Sequence, residues 1–305
     1  MDTHSTGTAG QETAPPGRPR PSDHPEVLVD RIGFPGYQVK RLPVDAHVHF
    51  HRDSLVEPTL DAAANNFARA CRSTGSLLGI LLLVQSSREQ VFEQLLEGQT
   101  CGRWRLGKVA AEPQTLIARR NERQIAIVCG RQVRCERGLE VLALGTTTRF
   151  PDGRSLHEMI ERVRGDGALV ALPWGFGKWI GRAGEIVREA LRRHSPDELF
   201  AGDNGGRLSA LGMPGLLRDA SQAGFRILPG TDPFPFGGDY RRVGAFGFLA
   251  GVDPEPAGPW ASLQQWLRTS ESMPQPYGRA LGPRRFLLNQ GWIQVRNRLS
   301  RRVAG

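Results

Sequence analysis

Three histidines in the stretch VDAHVHFH, residues 44–51, are spaced so that they could act together. His47, His49 and His51 occupy alternate positions, and Asp45 precedes them at the same interval. Because successive side chains of a β-strand point to opposite faces, this stretch predicts a strand with Asp45 and the histidines on one face and small or apolar residues on the other. Imidazole and carboxylate groups bind transition metals, so the polar face is a candidate metal site. A hydrogen-bonded polar cluster without a metal is the alternative.

The sequence after this stretch alternates between helix-like and strand-like patterns. Residues 59–74 have helical composition, residues 77–84 (LLGILLLV) form an apolar run typical of a buried strand, and residues 88–98 predict a second helix. Residues 103–147 contain short β-like runs separated by turns, and alternating helices and strands resume from residue 155. This order predicts parallel βαβ units, and about seven strands in roughly 220 residues favour a closed barrel over an open sheet.

The two ends of the chain differ in composition from its middle. Residues 1–26 are rich in Thr, Ser, Gly and Pro and lack an apolar run, which predicts a disordered tail and not a signal peptide. Seven arginines and no acidic residue lie between residues 272 and 305, so this end carries most of the net charge of +9. The predicted domains are therefore the tail, a barrel at residues 27–252 and a C-terminal extension at residues 253–305. Specific nucleic-acid binding by the barrel is not expected.

The four cysteines favour a reducing compartment. Cys71, Cys101, Cys129 and Cys135 form no CxxC pair and no zinc-ribbon spacing, which is typical of a cytoplasmic protein. A cytoplasmic location is therefore expected.

Two further classes find no support in the sequence. The apolar run at residues 77–84 is too short to cross a bilayer. The sequence contains no GxSxG motif, so a serine nucleophile is not indicated.

Several motifs together resemble the polymerase-and-histidinol-phosphatase (PHP) family of metal-dependent phosphoesterases, distant relatives of the amidohydrolases. DAHVHF (45–50) resembles the family's Asp-x-His-x-His motif, and ILPGTDPF (227–234) resembles its Gly-Ser-Asp-x-His motif. The segments at residues 125–145, 167–175 and 242–248 also correspond to family motifs in their order. The resemblance covers about residues 42–250 and implies an α/β fold, a distorted TIM-like (β/α)7 barrel with a β-hairpin insertion.

The chain departs from the family at several ligand positions. Residues 84–86 (VQS) stand where the family has Thr-Asp-His, and Gln132 stands where it has a metal-binding Glu. Pro173 and Phe234 replace two histidines of the later motifs. These departures imply the loss of the family's bridging ligands and of a two-metal mechanism.

The residues that remain imply a smaller metal site. His47, His49 and Asp232 are expected to hold one divalent transition metal, Zn, Mn or Fe, with Asp45 as a further ligand. Asp232 and His51 are the expected catalytic residues, Asp232 as a general base and His51 as a proton shuttle or substrate contact at the rim. The resulting interpretation is a metal-dependent hydrolase in which an activated water attacks a phosphoester or a related bond. A degenerate barrel that binds a ligand or a partner protein is the alternative.

Loops that follow predicted strands supply the candidate substrate contacts. Trp174 and Lys178 follow one strand, and Asn204 and Arg207 follow the next. Active-site loops of barrels lie at these positions, so the four residues are expected to bind a small-molecule substrate. Each also has a simpler interpretation: an apolar seal for Trp174, a solvated charge for Lys178 and a turn for the segment that contains Asn204 and Arg207.

The last segment of the chain predicts a basic amphipathic helix at residues 284–303. Its apolar stripe recurs every three or four positions and consists of Leu288, Trp292, Val295, Leu299 and Val303. The expected role is docking on the barrel with the arginines in water. Binding to an anionic membrane or to an acidic partner, nucleic acid included, remains open.

Overall fold

The computed structural model describes Met1 and residues 41–51, 55–72, 77–208, 210, 212–236, 238–253, 258–289 and 291. The predicted disordered tail, apart from Met1, lies outside the described residues, and so does most of the predicted C-terminal helix. In chain order the elements are β1 (Arg41–Val48), α1 (Val56–Cys71), β2 (Leu77–Gln85), α2 (Val91–Glu97), β3 (Thr100–Cys101), β4 (Trp104–Val109), β5 (Glu112–Arg120), β6 (Arg123–Arg134), β7 (Glu140–Leu144), α3 (Leu156–Gly165), β8 (Leu169–Trp174), α4 (Arg182–Arg193), β9 (Leu199–Asp203), α5 (Gly215–Gln222), β10 (Ile227–Pro229), β11 (Phe246–Gly251), α6 (Pro259–Thr269) and β12 (Gln275–Gly278).

The strands form one mixed sheet that curls into a nearly closed barrel. Seven strands make its wall in the order β1, β2, β6, β7, β8, β9, β10. The chain beyond β10 returns to β1, where the Asp232 backbone N–H donates a hydrogen bond to the His47 carbonyl oxygen at 2.8 Å. β11 pairs antiparallel with the first half of β1, at Arg41–Val44, and β12 pairs with β11. The observed class is therefore mixed α/β with a barrel-like sheet.

One strand of the wall runs against the parallel pattern that the sequence predicted. β1, β2 and β6 are parallel, as are β8, β9 and β10, but β7 is antiparallel to both of its neighbours. The connection from β6 to β7 contains only a short 3₁₀ turn, Glu136–Gly138. A parallel pair needs a crossover of about a dozen residues, so this short connection forces a hairpin. The hairpin insertion also includes β3, β4 and β5, which extend the sheet antiparallel from β6.

The barrel interior is filled by alternate side chains from the seven wall strands. One buried cluster takes members from every wall strand, among them Ala46, Leu82, Val128, Leu142 and Phe200. Trp260 and Leu263 of α6 join the same cluster. On the outside, α1 and α2 cover one part of the wall, and α3, α4 and α5 cover the rest. No helix in the described ranges is both long enough and apolar enough to span a membrane.

Strand β1 contains an irregularity that changes the predicted arrangement of its side chains. Its register against β2 shifts between Asp45 and Val48. Ala46 belongs to the interior cluster, whereas Val48 packs outside with α1, although unbroken alternation would put both on one face. A β-bulge has this effect because an extra residue inverts the alternation beyond it. The prediction of a single face carrying Asp45 and the three histidines was wrong for this reason.

The predicted boundary at residue 252 does not correspond to a break in the structure. Helix α6 contributes to the barrel core, and Tyr277 of β12 is paired with Gly247 of β11. The described residues from 41 to 291 belong to one compact unit. The chain from 258 to 281 therefore packs with the barrel.

The beginning of the C-terminal segment contacts the barrel. Residues 283–289 are helical. The Phe286 ring packs edge-on against Phe176 with centroids 5.4 Å apart, and an Arg285 guanidinium nitrogen lies 2.9 Å from an Asp239 carboxylate oxygen. Leu288 is 56% exposed, so its predicted place on the docking face was wrong. The other members of the predicted stripe lie outside the described residues.

Candidate metal centre

Three donor groups meet at the carboxyl ends of β1 and β10. The His47 and His49 Nε2 atoms are 3.1 Å apart, and they lie 3.5 and 3.6 Å from Asp232 Oδ1. The side chains are 4%, 10% and 26% exposed, so the group is largely shielded but open on the side of Asp232. In the described part of the chain, these are the three residues whose donor atoms could together hold a metal ion.

The separations of the donor atoms fit a small divalent ion. An ion with tetrahedral bonds of about 2.0–2.1 Å has ligand atoms roughly 3.3–3.4 Å apart. The three measured separations, 3.1, 3.5 and 3.6 Å, bracket this value. Two imidazoles and one carboxylate are also a complete protein ligand set for zinc in a catalytic site, and they suit iron or manganese. The donor set therefore fits the predicted cofactor in both chemistry and spacing.

The backbone around Asp232 holds the group together. A Cβ atom on Gly230 would lie 2.3 Å from the His47 backbone nitrogen, so only glycine lets the chain after β10 approach β1 this closely. Asp232 itself has a φ of 42°, in the left-handed region that aspartate tolerates better than most residues. Asn204, beyond the end of β9, donates a hydrogen bond from Nδ2 to Asp232 Oδ2 at 3.0 Å. This bond leaves Oδ1 directed at the two histidines.

The ionisation of the site suits metal binding. Burial, and then the charge of His47, lower the pKa of His49. Burial alone would raise the pKa of Asp232, but His47, His49, Lys178 and the Asn204 hydrogen bond together lower it. A neutral imidazole and an ionised carboxylate are the forms that ligate a metal.

Asp45 does not belong to the donor group, contrary to the prediction. Its buried carboxylate accepts hydrogen bonds from the backbone N–H groups of His47, Thr231 and Gly244 at 3.3, 2.8 and 2.8 Å, and from the Thr231 hydroxyl at 2.6 Å. Burial raises the pKa of Asp45 to about 6 despite these bonds. Asp45 therefore ties β1 to the segments that follow β10, on the opposite side of the bulge from His47.

His51 lies beside the donor group and outside it. Its ring stacks on that of His49 with centroids 5.3 Å apart, and its Nε2 is 2.6 Å from the Pro233 carbonyl oxygen. The short contact to a carbonyl requires a proton on Nε2, which leaves Nδ1 as the acceptor nitrogen of the neutral ring. Nδ1 lies 3.9 Å from Glu89 Oε1. Burial lowers the pKa of His51.

The four candidate substrate residues do not converge on one place. Asn204 reaches the donor group through Asp232. Lys178 forms an ion pair with Glu140, and its charge helps to lower the pKa of Asp232. Arg207 is held away by hydrogen bonds from Nε to both Asp203 carboxylate oxygens and from Nη1 to the Gly212 carbonyl. Trp174 packs against the apolar cluster under α3, α4 and α5.

A cavity beside the histidines contains residues that the sequence prediction missed. It has a volume of about 420 Å³ and is lined by His49, His51, Leu55, Thr59, Pro233, Phe234, Pro235, Phe236, Gly238, Asp239 and Tyr240. The run PFPF at residues 233–236, directly after the motif containing Asp232, was the available signal. Glu140 was also missed, because it is remote in sequence from its partner Lys178.

The positions that depart from the PHP pattern supply no ionisable group to the site. The Gln85 side-chain amide forms its hydrogen bonds with residues of α2. It donates to the Glu93 carboxylate and accepts a hydrogen bond from the Phe92 N–H. The Gln132 Oε1 atom is buried without a hydrogen-bond partner in the described structure. Phe234 lines the cavity. The described metal-ligand set is therefore limited to three residues.

Comparison with known proteins gives one informative similarity. No family model matches the chain, and no curated protein matches it. Among solved structures the chain is similar to PsfC from Pseudomonas syringae PB-5123, with 15% identity and a TM-score of 0.52, over 84% of this chain and 98% of that one. It is also similar to the novel lesion-specific endonuclease PfuEndoQ from Pyrococcus furiosus, with 11% identity and a TM-score of 0.46, over 78% of this chain and 58% of that one. At this level of identity, the similarity to PsfC shows a shared fold alone.

Proposed function

We propose that this chain is a metal-dependent hydrolase that holds one divalent transition metal, Zn, Mn or Fe, at His47, His49 and Asp232. The observation that carries the proposal is the convergence of their three donor atoms at separations of 3.1–3.6 Å. The proposal includes the finer fold assignment, a distorted TIM-like (β/α)7 barrel of PHP type. Support for it comes from the position of the donors at the carboxyl ends of barrel strands, where active sites of such barrels lie.

The proposed reaction is hydrolysis of a phosphoester or a related bond. A bound divalent ion lowers the pKa of a water ligand toward neutrality and polarises the substrate oxygen. The oxygen of water becomes bonded to the phosphorus or acyl carbon, the ester bond breaks, and the proton of water passes to the leaving oxygen. The proposed partner is a small molecule, specific nucleic-acid binding is not proposed, and the cytoplasmic location stays a prediction.

The residues around the donor group have separate proposed roles in metal binding, proton transfer and charge stabilisation. Asp232 binds through Oδ1 and is oriented by Asn204 through Oδ2, so its role as ligand is better supported than its role as general base. His51 is the proposed proton carrier because its Nδ1 can take a proton while its Nε2 stays bonded to the Pro233 carbonyl. Lys178 contributes positive charge near Asp232.

Metal analysis tests this proposal directly. The full chain, purified without a metal-affinity tag, is expected to carry about one equivalent of transition metal, as retained structural or catalytic zinc does. His49→Ala is expected to lose the metal, whereas His157→Ala, on the outer helix α3, is expected to keep it. Less than about a tenth of an equivalent in the unaltered chain, after dialysis against zinc, would contradict the proposal.

The alternative function is a non-catalytic barrel that binds a ligand or a partner protein. The absence of ionisable side chains at Gln85, Gln132, Pro173 and Phe234 favours it. Turnover of a phosphoester, amide or lactone that disappears in His49→Ala would support the enzyme. A ligand that binds equally well to His49→Ala and is never converted would support the binding barrel.

A further inference from the structure

We infer that the substrate carries an apolar group the size of a ring, which binds in the cavity beside His49 while the bond to be hydrolysed lies at the donor group. The inference rests on the proposed function and adds the class of substrate. His49 is both a member of the donor group and a wall of the cavity. The donor group and the cavity therefore adjoin at His49.

The walls of the cavity are mainly apolar. Leu55, Phe234, Phe236 and Tyr240 contribute aliphatic and aromatic surface, and two prolines add to it. Its volume of about 420 Å³ falls in the range of about 300–1,000 Å³ that is usual for small-molecule sites. A phenyl ring or a branched aliphatic group fits this space.

The charges near the cavity do not suit an anionic group. No lysine or arginine is among the described residues that line it. Asp239 is buried, and its carboxylate already accepts from the Phe234 N–H at 2.8 Å, from Arg285 at 2.9 Å and from Arg242 at 3.4 Å. A phosphate or carboxylate placed here would lose its water and would meet no lysine or arginine among the described lining residues. The negative or polar part of the substrate therefore belongs at the donor group and not in the cavity.

Two polar groups of the remaining walls are also occupied. The Thr59 hydroxyl donates to the Leu55 carbonyl at 2.6 Å, and His51 Nε2 contacts the Pro233 carbonyl. An apolar group can bind here without breaking either of these hydrogen bonds. This favours a substrate whose side group makes no hydrogen bonds.

The cavity is held open by its own residues. The Phe234 backbone is fixed by its bond to Asp239, the adjacent prolines restrict the backbone, and the rings of Phe234 and Phe236 lie 5.3 Å apart. A preformed site loses little conformational entropy on binding. Burial of one phenyl ring is therefore expected to tighten binding by roughly 10- to 100-fold.

Two zinc-binding probes with the same head group separate the cavity from the metal. Acetohydroxamate carries a methyl group and benzohydroxamate a phenyl ring. Isothermal titration calorimetry on the zinc-loaded full chain is expected to give at least about tenfold tighter binding of benzohydroxamate. Phe234→Ala should reduce this preference to less than about threefold and leave acetohydroxamate binding unchanged. Phe176→Ala, an exposed aromatic residue outside the cavity, should retain the full preference.

The outcomes distinguish this inference from the function on which it rests. If zinc binds and both probes bind equally, the inference is wrong and the proposed metal site stands. If the preference persists in Phe234→Ala, the ring binds elsewhere and the inference is wrong. If zinc does not bind, the proposed function fails first and the inference fails with it. Phe234→Leu serves as a second variant should Phe234→Ala not fold, and it should weaken the preference less.

Discussion

At the scale of single residues, protons and a metal ion at His47 and His49 would compete for the same nitrogen atoms. Burial and the neighbouring His47 lower the pKa of His49, and a lower pKa keeps the imidazole neutral at more acidic pH. Asp232 stays ionised for the complementary reason, since the charges around it lower its pKa. Both shifts extend the pH range in which the donors are ready to bind.

Metal affinity is therefore expected to have a defined pH dependence. The dissociation constant for Co²⁺, followed by its visible absorbance, should be nearly constant above about pH 6.5, the usual histidine pKa, as far as His49 is concerned. It should rise only at a pH clearly below that value, because the lowered pKa of His49 postpones the protonation that removes this ligand. A rise that begins above pH 7 would show that the pKa of a ligand is raised and would contradict this expectation.

At the scale of elements, the Glu112 carboxylate links strand β5 of the insertion to helix α6, which packs against the barrel interior. Glu112, at the start of β5, is buried and accepts hydrogen bonds from the Trp260 and Ala261 N–H groups at 3.2 and 2.8 Å. Helix α6 begins after Gly258, which has no side chain to cap it. Glu112 supplies the missing cap and places a negative charge at the positive end of the helix.

Loss of this cap should destabilise the fold. Glu112→Ala leaves two N–H groups without an acceptor and is expected to lower the free energy of unfolding by about 2–3 kcal/mol. Glu112→Gln keeps one acceptor oxygen and should cost about half as much. Urea denaturation measures both, with Glu122→Ala, in the exposed turn between β5 and β6, as control. Equal stability of Glu112→Ala and the control would mean that the two bonds contribute nothing.

The elements also show how far the sequence could predict the structure. Alternating helices and strands after residue 155, and the apolar run at 77–84, correctly indicated a barrel-like α/β fold, since these patterns depend on burial of one or both faces. The bulge in β1 left no trace, because the apolar residues continue at alternate positions across it. Asp45 was misplaced for that reason. His47 and His49 were predicted as ligands from their spacing and Asp232 from the resemblance. The distances between them follow from the contact of β10 with β1, which no local pattern encodes.

At the scale of the whole molecule, the C-terminal segment completes the surface near the cavity. Arg285 pairs with the buried Asp239, and the Phe286 ring contacts Phe176. Asn289 is buried as well. A buried carboxylate that loses a cationic partner is costly, so this segment is expected to contribute to stability.

Truncation after Pro283 tests that contribution. The shortened chain is expected to melt roughly 3–4 °C lower, which corresponds to a loss of about 2 kcal/mol in a protein of this size. Leu288→Ala, at an exposed position, should melt like the unaltered chain. If truncation leaves the melting temperature unchanged and only the full chain binds anionic vesicles, the membrane interpretation would replace docking.

The closure of β10 against β1 has a consequence for the order of events after synthesis. His47 and His49 belong to the first wall strand and the residues just after it, and Asp232 is synthesised after all seven wall strands. An unfinished chain holds two histidines on a single strand and no carboxylate opposite them. The complete ligand set therefore forms late, once the first and last wall strands have met. A metal ion held by all three residues would link the two strands of the finished barrel, and it could not form this complete site early in folding.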